Sequence, residues 1–233
     1  MSTAPRLGFY PTRFFLFYNE ITMKTVAYID GQNFLYKAAN VLIDSGKLKS
    51  KQDLHTISIR KIIEELINES DIEIRYYGTK LKKYKNTPEI EKKSTIMIDS
   101  QRRLRNALNR QNIIFVESGK LKLRDGDKCK KCGAQDLHFQ EKGVDVRMAI
   151  DLIVDSYESK VDQMILLSSD TDLLPAINMV VMKKKRLVYV GFSDKLTNAL
   201  SIAATETQII RDSDILGAFD NANPPKLSLG DKK

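Results

Sequence analysis

Four aspartates stand at places in this chain where they could do chemistry. Asp30 closes the apolar run Lys24–Asp30 (KTVAYID) and is followed by Gly31-Gln32-Asn33. Asp170 and Asp172 lie in Ser168-Ser169-Asp170-Thr171-Asp172, at the end of the run Gln163–Ser168 (QMILLS). Asp145 lies in Lys142-Gly143-Val144-Asp145, where an amphipathic segment opens; Asp145, Met148, Ala149 and Leu152 share one face of it. Carboxylates crowded together repel one another unless a cation sits among them. An all-oxygen donor set suits Mg2+ or Mn2+. A divalent ion so held can bind phosphate oxygens, activate water and stabilise an in-line displacement. Taken singly, each Asp reads as a helix cap or turn residue, Asp172 most plainly because an apolar helical run follows it. The combination points elsewhere, since these carboxylates fall where one sheet edge is expected. Asp151, six residues beyond Asp145 and about a third of a turn around the helix, is expected to point away from them.

The elements that must position these residues follow from periodicity. Strands are expected over Lys24–Asp30, Ile72–Tyr77, Asn112–Glu117, Gln163–Ser168 and Arg186–Val190, with a short one at Thr207–Ile210. Helices are expected over Phe34–Ile43, Ile57–Ile67, Ser94–Asn109, Val144–Tyr157, Leu173–Lys184 and Lys195–Ala203. Residues 79–92 read as a Lys-rich loop, and 118–142 as a polar, basic and irregular insertion. Strands alternating with helices imply an α/β fold with a mainly parallel sheet and helices on both faces. In such sheets ligands bind beyond the carboxyl ends of the strands, where Asp30, Asp170 and Asp172 are expected.

Composition narrows the classes. The chain has 233 residues, 38 Lys+Arg against 30 Asp+Glu, and 42% apolar residues. That suits one domain, or one with a small appendage, and excludes disorder throughout. No apolar run is long enough to span a membrane, and two cysteines cannot build a disulfide framework; a cytoplasmic location is the expectation. Residues 1–22, with Arg6, Arg13 and Phe14-Phe15-Leu16-Phe17-Tyr18, are expected to be an extension that is poorly ordered or not native, with Met23 as the start of the domain. The domain is expected over 23–212 and a tail over 213–233. Only His55 and His138 are present, which disfavours a His-rich zinc hydrolase, and there is neither a Walker-type glycine loop nor a G-x-S-x-G element.

The positive charge is concentrated. Arg75 to Lys131 carries 17 basic and 6 acidic residues, while the rest of the chain is slightly acidic. Lys80, Lys82, Lys83 and Lys85, then Arg102, Arg103 and Arg105, are candidate phosphate contacts, and Tyr76, Tyr77 and Tyr84 candidate stacking rings, although one of Tyr76 and Tyr77 must face inward. Lys130 and Lys131, further candidate RNA contacts, belong to Cys129-Lys130-Lys131-Cys132-Gly133, a C-x-x-C-G spacing typical of half a zinc site. His138 is a candidate third ligand, with Asp136, His55 or another chain as the fourth. An unligated or redox-sensitive pair is the competing reading, and a disulfide a further one. The insertion that carries the pair reads as a flap for substrate selection.

Tyr28-Ile29-Asp30-Gly31-Gln32-Asn33, Lys142-Gly143-Val144-Asp145-Val146 with Asp151-Leu152, and Ser168-Ser169-Asp170-Thr171-Asp172 with Pro175 together resemble the NYN domain of the PIN-like nuclease superfamily, the LabA-like bacterial proteins above all. The resemblance runs from about Met23 to Asp212. It implies a Rossmann-like three-layer α/β/α sandwich, a divalent metal (Mg2+ or Mn2+) on Asp30, Asp145, Asp170 and Asp172, and hydrolysis of RNA phosphodiester bonds. It also implies that Asn33 orients the site, that Ser168 supplies a hydroxyl beside the paired acids, that Asp151 is a recurrent acid with a structural role, and that the protein can form a homodimer. The expectation is an endoribonuclease acting on single-stranded or loop RNA. The alternative is a non-catalytic nucleic-acid-binding regulator with the same fold. A Toprim-like site would want Glu in place of Asp30, and an aspartyl phosphatase a second Asp in place of Gln32.

Overall fold

The structure is a computed structural model that describes residues 24–128 and 135–222. Its core is a six-stranded sheet in the order β3-β2-β1-β6-β7-β8, every pairing parallel. The strands are β1 (Lys24–Asp30), β2 (Ile72–Thr79), β3 (Ile113–Ser118), β6 (Val161–Leu167), β7 (Arg186–Phe192) and β8 (Glu206–Ile210). Strands β1, β6 and β7 are almost continuous apolar runs because both of their faces are covered. Helices α1 (Gly31–Asp44), α2 (Ile59–Ile67), α3 (Pro88–Arg110) and α7 (Asp212–Ala222) lie on one face. There Phe34, Leu42, Ile63, Leu108 and Ile215 form one core. Helices α4 (Val144–Ser156), α5 (Leu174–Met182) and α6 (Asn198–Ala203) lie on the other, around Met148, Leu152, Ile177 and Leu200. This is the expected three-layer α/β/α sandwich. Chain direction across the sheet reverses between β1 and β6, so the switch point of a doubly wound sheet falls between these two strands.

Local chemistry explains the boundaries. Thr87 caps α3 by accepting from the Ile90 N–H at 3.2 Å, with Pro88 in the first turn and Glu89 and Glu91 near the positive end of the helix dipole. These residues start the helix at Pro88, inside the stretch expected to be loop. Between α1 and α2 a 3-10 turn spans Lys51–Thr56. At the β1–α1 junction a side chain on Gly31 would collide with the Tyr76 ring, 2.3 Å from an added Cβ, and with the Tyr77 carbonyl, 2.4 Å away. That close approach lets the Tyr76 hydroxyl donate to Gly31 O at 2.7 Å.

Two expectations need correction. The described residues of 118–142 are not irregular: β4 (Lys120–Lys128) and β5 (Gln135–Lys142) pair as an antiparallel hairpin. Leu121 pairs with Glu141 and Leu123 with Phe139, while Lys120, Lys122 and Arg124 alternate with them. The period-two pattern was present but lay under a heavy load of charge. Residues 213–222 are helix α7, packed on α1 and α2 through Ile215 and Ala218. Residues 1–22 and the C-x-x-C segment, with Cys129, Lys130, Lys131 and Cys132, lie outside the described residues.

Candidate active site

The carboxyl ends of β1 and β6 meet at the switch point, with Ile29 in register with Leu167. The next residue on each strand continues the contact: Ser168 Oγ donates to Asp30 Oδ2 at 3.0 Å. The same hydroxyl accepts from the Asp170 N–H at 3.1 Å, so one side chain ties both strand ends together. Asp30 also caps α1, accepting from the Asn33 N–H at 3.1 Å, and the Asn33 side-chain amide donates to Ser169 Oγ. Beyond β6 the cap is Asp170, which accepts from the Asp172 N–H at 2.9 Å at the start of a 3-10 turn over Thr171–Leu173. Asp172, the sequence's candidate cap, is the residue capped. Its own carboxylate is left exposed to solvent.

Asp145 enters from the first turn of α4, which starts on Gly143 in the left-handed region at φ +86°. One carboxylate oxygen from each of Asp145, Asp170 and Asp172 lies within 4.8 Å of the others. Among the described residues, no Lys or Arg forms an ion pair with any of the three. Three hard oxygen donors, close together and lacking a protein cation, fit a divalent Mg2+ or Mn2+ ion. Asp30 lies outside this trio. Its burial raises its pKa, reinforced by the Asp170 charge and opposed by the bonds from Asn33 and Ser168.

Glu141, at the end of β5, was missed in the sequence. Burial, then the charges of Asp30 and Asp145, push its carboxyl up to about 7. The available signal was the alternation Leu137-Phe139-Glu141, which gives a hairpin strand whose inward face ends on an acid four residues before Asp145.

Asp151 points elsewhere, as expected. It accepts from the Tyr77 hydroxyl at 2.9 Å and pairs with Arg147 at 2.8 Å. Both β2 tyrosines are buried, so neither is a surface stacking ring; Tyr76 joins the core on the α1 face and Tyr77 the core on the α4 face. Tyr84 is half-buried, with its ring 5.4 Å from that of Phe139 and its hydroxyl donating to Leu121 O. It fastens the Lys80–Lys85 loop to the hairpin. Lys80, Lys82, Lys83 and Lys85 are exposed there, Lys83 paired with Glu91. On α3, Arg102 and Arg103 are exposed, the former paired with Asp99, and Arg105 pairs with Glu117 and lies over the Phe115 ring. Arg75, counted with the basic segment, is consumed by Asp155 and Glu73. His138 is exposed on β5, in register with Arg124.

Two cavities adjoin the strand ends. A polar cleft of about 550 Å3 is lined by Asp30, Asn33, Ser169 and Asp170 with Lys37 and Lys195. A second cavity of about 380 Å3 lies beyond Gly31 and Gln32, between α1, α3 and the hairpin, and His55 is in its wall. Among the described residues, no helix is long and apolar enough to cross a membrane.

Comparison with known proteins agrees with this geometry. The family profile described as the NYN domain matches residues 24–212. Among solved structures, a Vibrio parahaemolyticus protein of unknown function is similar in fold, with a TM-score of 0.51 and 15% identity, over 82% of this chain and 94% of that one. No curated protein matches the sequence.

Proposed function

The chain belongs to the NYN domain family, a PIN-like nuclease family whose substrates are nucleic acids, and from that premise we propose that it is a Mg2+- or Mn2+-dependent endoribonuclease acting on single-stranded or loop RNA. Within the family we assign it to the LabA-like bacterial subgroup, and to the cytoplasm. The observation that carries the catalytic reading is the convergence of Asp145, Asp170 and Asp172 at the switch point. These three would hold the ion, with Asp30 behind them. A divalent ion there supplies charge neutralisation at the phosphate and an activated water. The protein's own residues set the stage for that chemistry. Ser168 holds Asp30 and the Asp170 backbone in fixed relation. The α4 N-terminus has no side-chain cap, so its first N–H groups are available to a phosphate oxygen near Asp145. The exposed lysines of the 80–85 loop draw in the backbone without reading sequence.

Two finer assignments accompany this reading. Zinc at Cys129 and Cys132 with His138 would stiffen the hairpin, and metal analysis of wild type against Cys129→Ser tests it. A homodimer would use α4, where Val146, Ile150, Val154 and Tyr157 form a stripe of apolar side chains, each more than half exposed. Light scattering should show Ile150→Glu as a monomer if wild type is a dimer.

The decisive experiment is cleavage of labelled single-stranded RNA and matching DNA with Mn2+ or Mg2+, comparing wild type with Asp170→Asn. The expected result is RNA cleavage that is stopped by chelator and lost in a folded mutant. Binding without cutting by both proteins would refute the nuclease and leave a binding regulator.

A further inference from the structure

The 380 Å3 cavity is not explained by phosphodiester chemistry. It is walled by the rings of Tyr36, Tyr76, Phe115 and Phe139, and by Leu81 and Met97. Its size falls in the range of about 300–1,000 Å3 usual for small-ligand sites. It has room for one heterocyclic base and its sugar, and none for a duplex. Two polar atoms in residues of its wall, Thr79 Oγ1 and His55 Nδ1, are buried without a hydrogen-bond partner. Both atoms are sealed beneath the cavity surface. The rim is cationic and aromatic: Lys51 lies 3.7 Å above the Tyr36 ring and Lys93 5.7 Å from the Phe139 ring centre. Aromatic platforms edged by lysines are what single-stranded nucleic acid requires.

Position ties this cavity to the acidic site. Gln32 and Tyr36 line both the cavity and the polar cleft, and Glu141 lines the cavity while sensing Asp30 and Asp145 electrostatically. A strand whose phosphate enters the polar cleft therefore has the cavity beside it for a neighbouring nucleotide.

We propose that this cavity is a base-binding subsite, which takes one unstacked nucleobase of the substrate strand beside the scissile phosphate. The subsite rests on the nucleic-acid reading above and adds a source of selectivity to it: the rings of Tyr36, Phe115 and Phe139, none of them fully buried, supply stacking. A preference for unpaired RNA follows, because a paired base cannot enter.

The test uses the full-length protein in chelator, so that binding is read without cleavage. Short single-stranded RNAs carry 2-aminopurine, or an abasic site, at one position at a time. The expected result is quenching confined to one position, with an abasic site at that position weakening binding about tenfold. Phe139→Ala should abolish the quenching. Leu81→Trp, which fills the cavity instead of removing one of its rings, should do the same. Equal quenching at every position, or binding indifferent to every abasic site and to both ring variants, would overturn the subsite while leaving cleavage untouched. Position-specific quenching in a protein that never cuts would keep the subsite and sink the nuclease.

Discussion

The polar cleft and the aromatic cavity lie side by side at the carboxyl ends of one sheet, yet they are built in opposite ways. The cleft takes Asp30 from the end of β1 and Asp170 from the turn after β6, and the acidic cluster beside it adds Asp172 from the same turn and Asp145 from the start of α4. The cavity draws on α1, the 3-10 turn after it, β2, β3, α3 and the hairpin. The first is an assembly of charges that needs a cation to be stable. The second is an assembly of rings that leaves polar atoms without partners. The difference divides labour: the cleft is equipped to break a bond, and the cavity to choose which strand is presented to it.

That division can be broken by mutation, beginning with the largest effect. Asp172→Asn should lower metal-dependent cleavage on the order of a thousandfold, while affinity for RNA in chelator stays within a few-fold of wild type. Loss of affinity in parallel with rate would show that the two regions are not separable. Ser168→Ala comes next. It removes the hydroxyl that joins Asp30 to the Asp170 backbone but no metal ligand, so a loss of about 10–100-fold is expected in the metal's half-saturating concentration or in rate. Titration of activity against Mn2+ measures it. Phe139→Ala should show the reverse pattern, KM rising about tenfold with kcat little changed. A fall in kcat alone would move Phe139 from the choosing region to the bond-breaking one.

The contrast also explains what the sequence disclosed. Asp30 and Asp170 were legible because a parallel strand that ends in a carboxylate places it at the ligand edge, whatever the rest of the fold does. The six strands, their mainly parallel arrangement and the layers followed from alternation of strand and helix patterns, whereas the order of the strands came only with the structure. Taken singly, Asp172 looked like the cap, because sequence alone does not say which of two nearby aspartates accepts the backbone N–H; the structure gives that bond to Asp170 and leaves Asp172 with the acidic cluster. The hairpin was hidden because charge on its outer face outweighed Leu121, Leu123 and Phe139 within it. Glu141 went with it. The cavity itself left no trace: Tyr76 stood out only as one of two tyrosines of which one must face inward, Phe115 and Met97 look like core residues, and only packing shows that they fail to fill the space between them.

Glu141 is where the two regions meet, and it offers the smallest but most specific test. Its carboxyl is pushed from 4.5 to about 7, first by burial and then by Asp30 and Asp145. The folded state therefore holds a proton that the unfolded chain has released over that interval. This group's contribution to stability is complete below about pH 4.5 and is lost as pH rises through about 7. A divalent ion reverses the sign, because it favours the ionised carboxylates. The metal-free protein should accordingly lose thermal stability between pH 5 and pH 8, and the stabilisation by Mn2+ should grow over the same window. Glu141→Gln cannot ionise. It should melt like wild type at pH 5 and a few degrees higher than wild type at pH 8 without metal, with a smaller gain from Mn2+. If the two proteins melt in parallel at both pH values, Glu141 is not coupled to the acidic cluster, and the electrostatic link between the cavity and the cleft is lost even though both cavities remain.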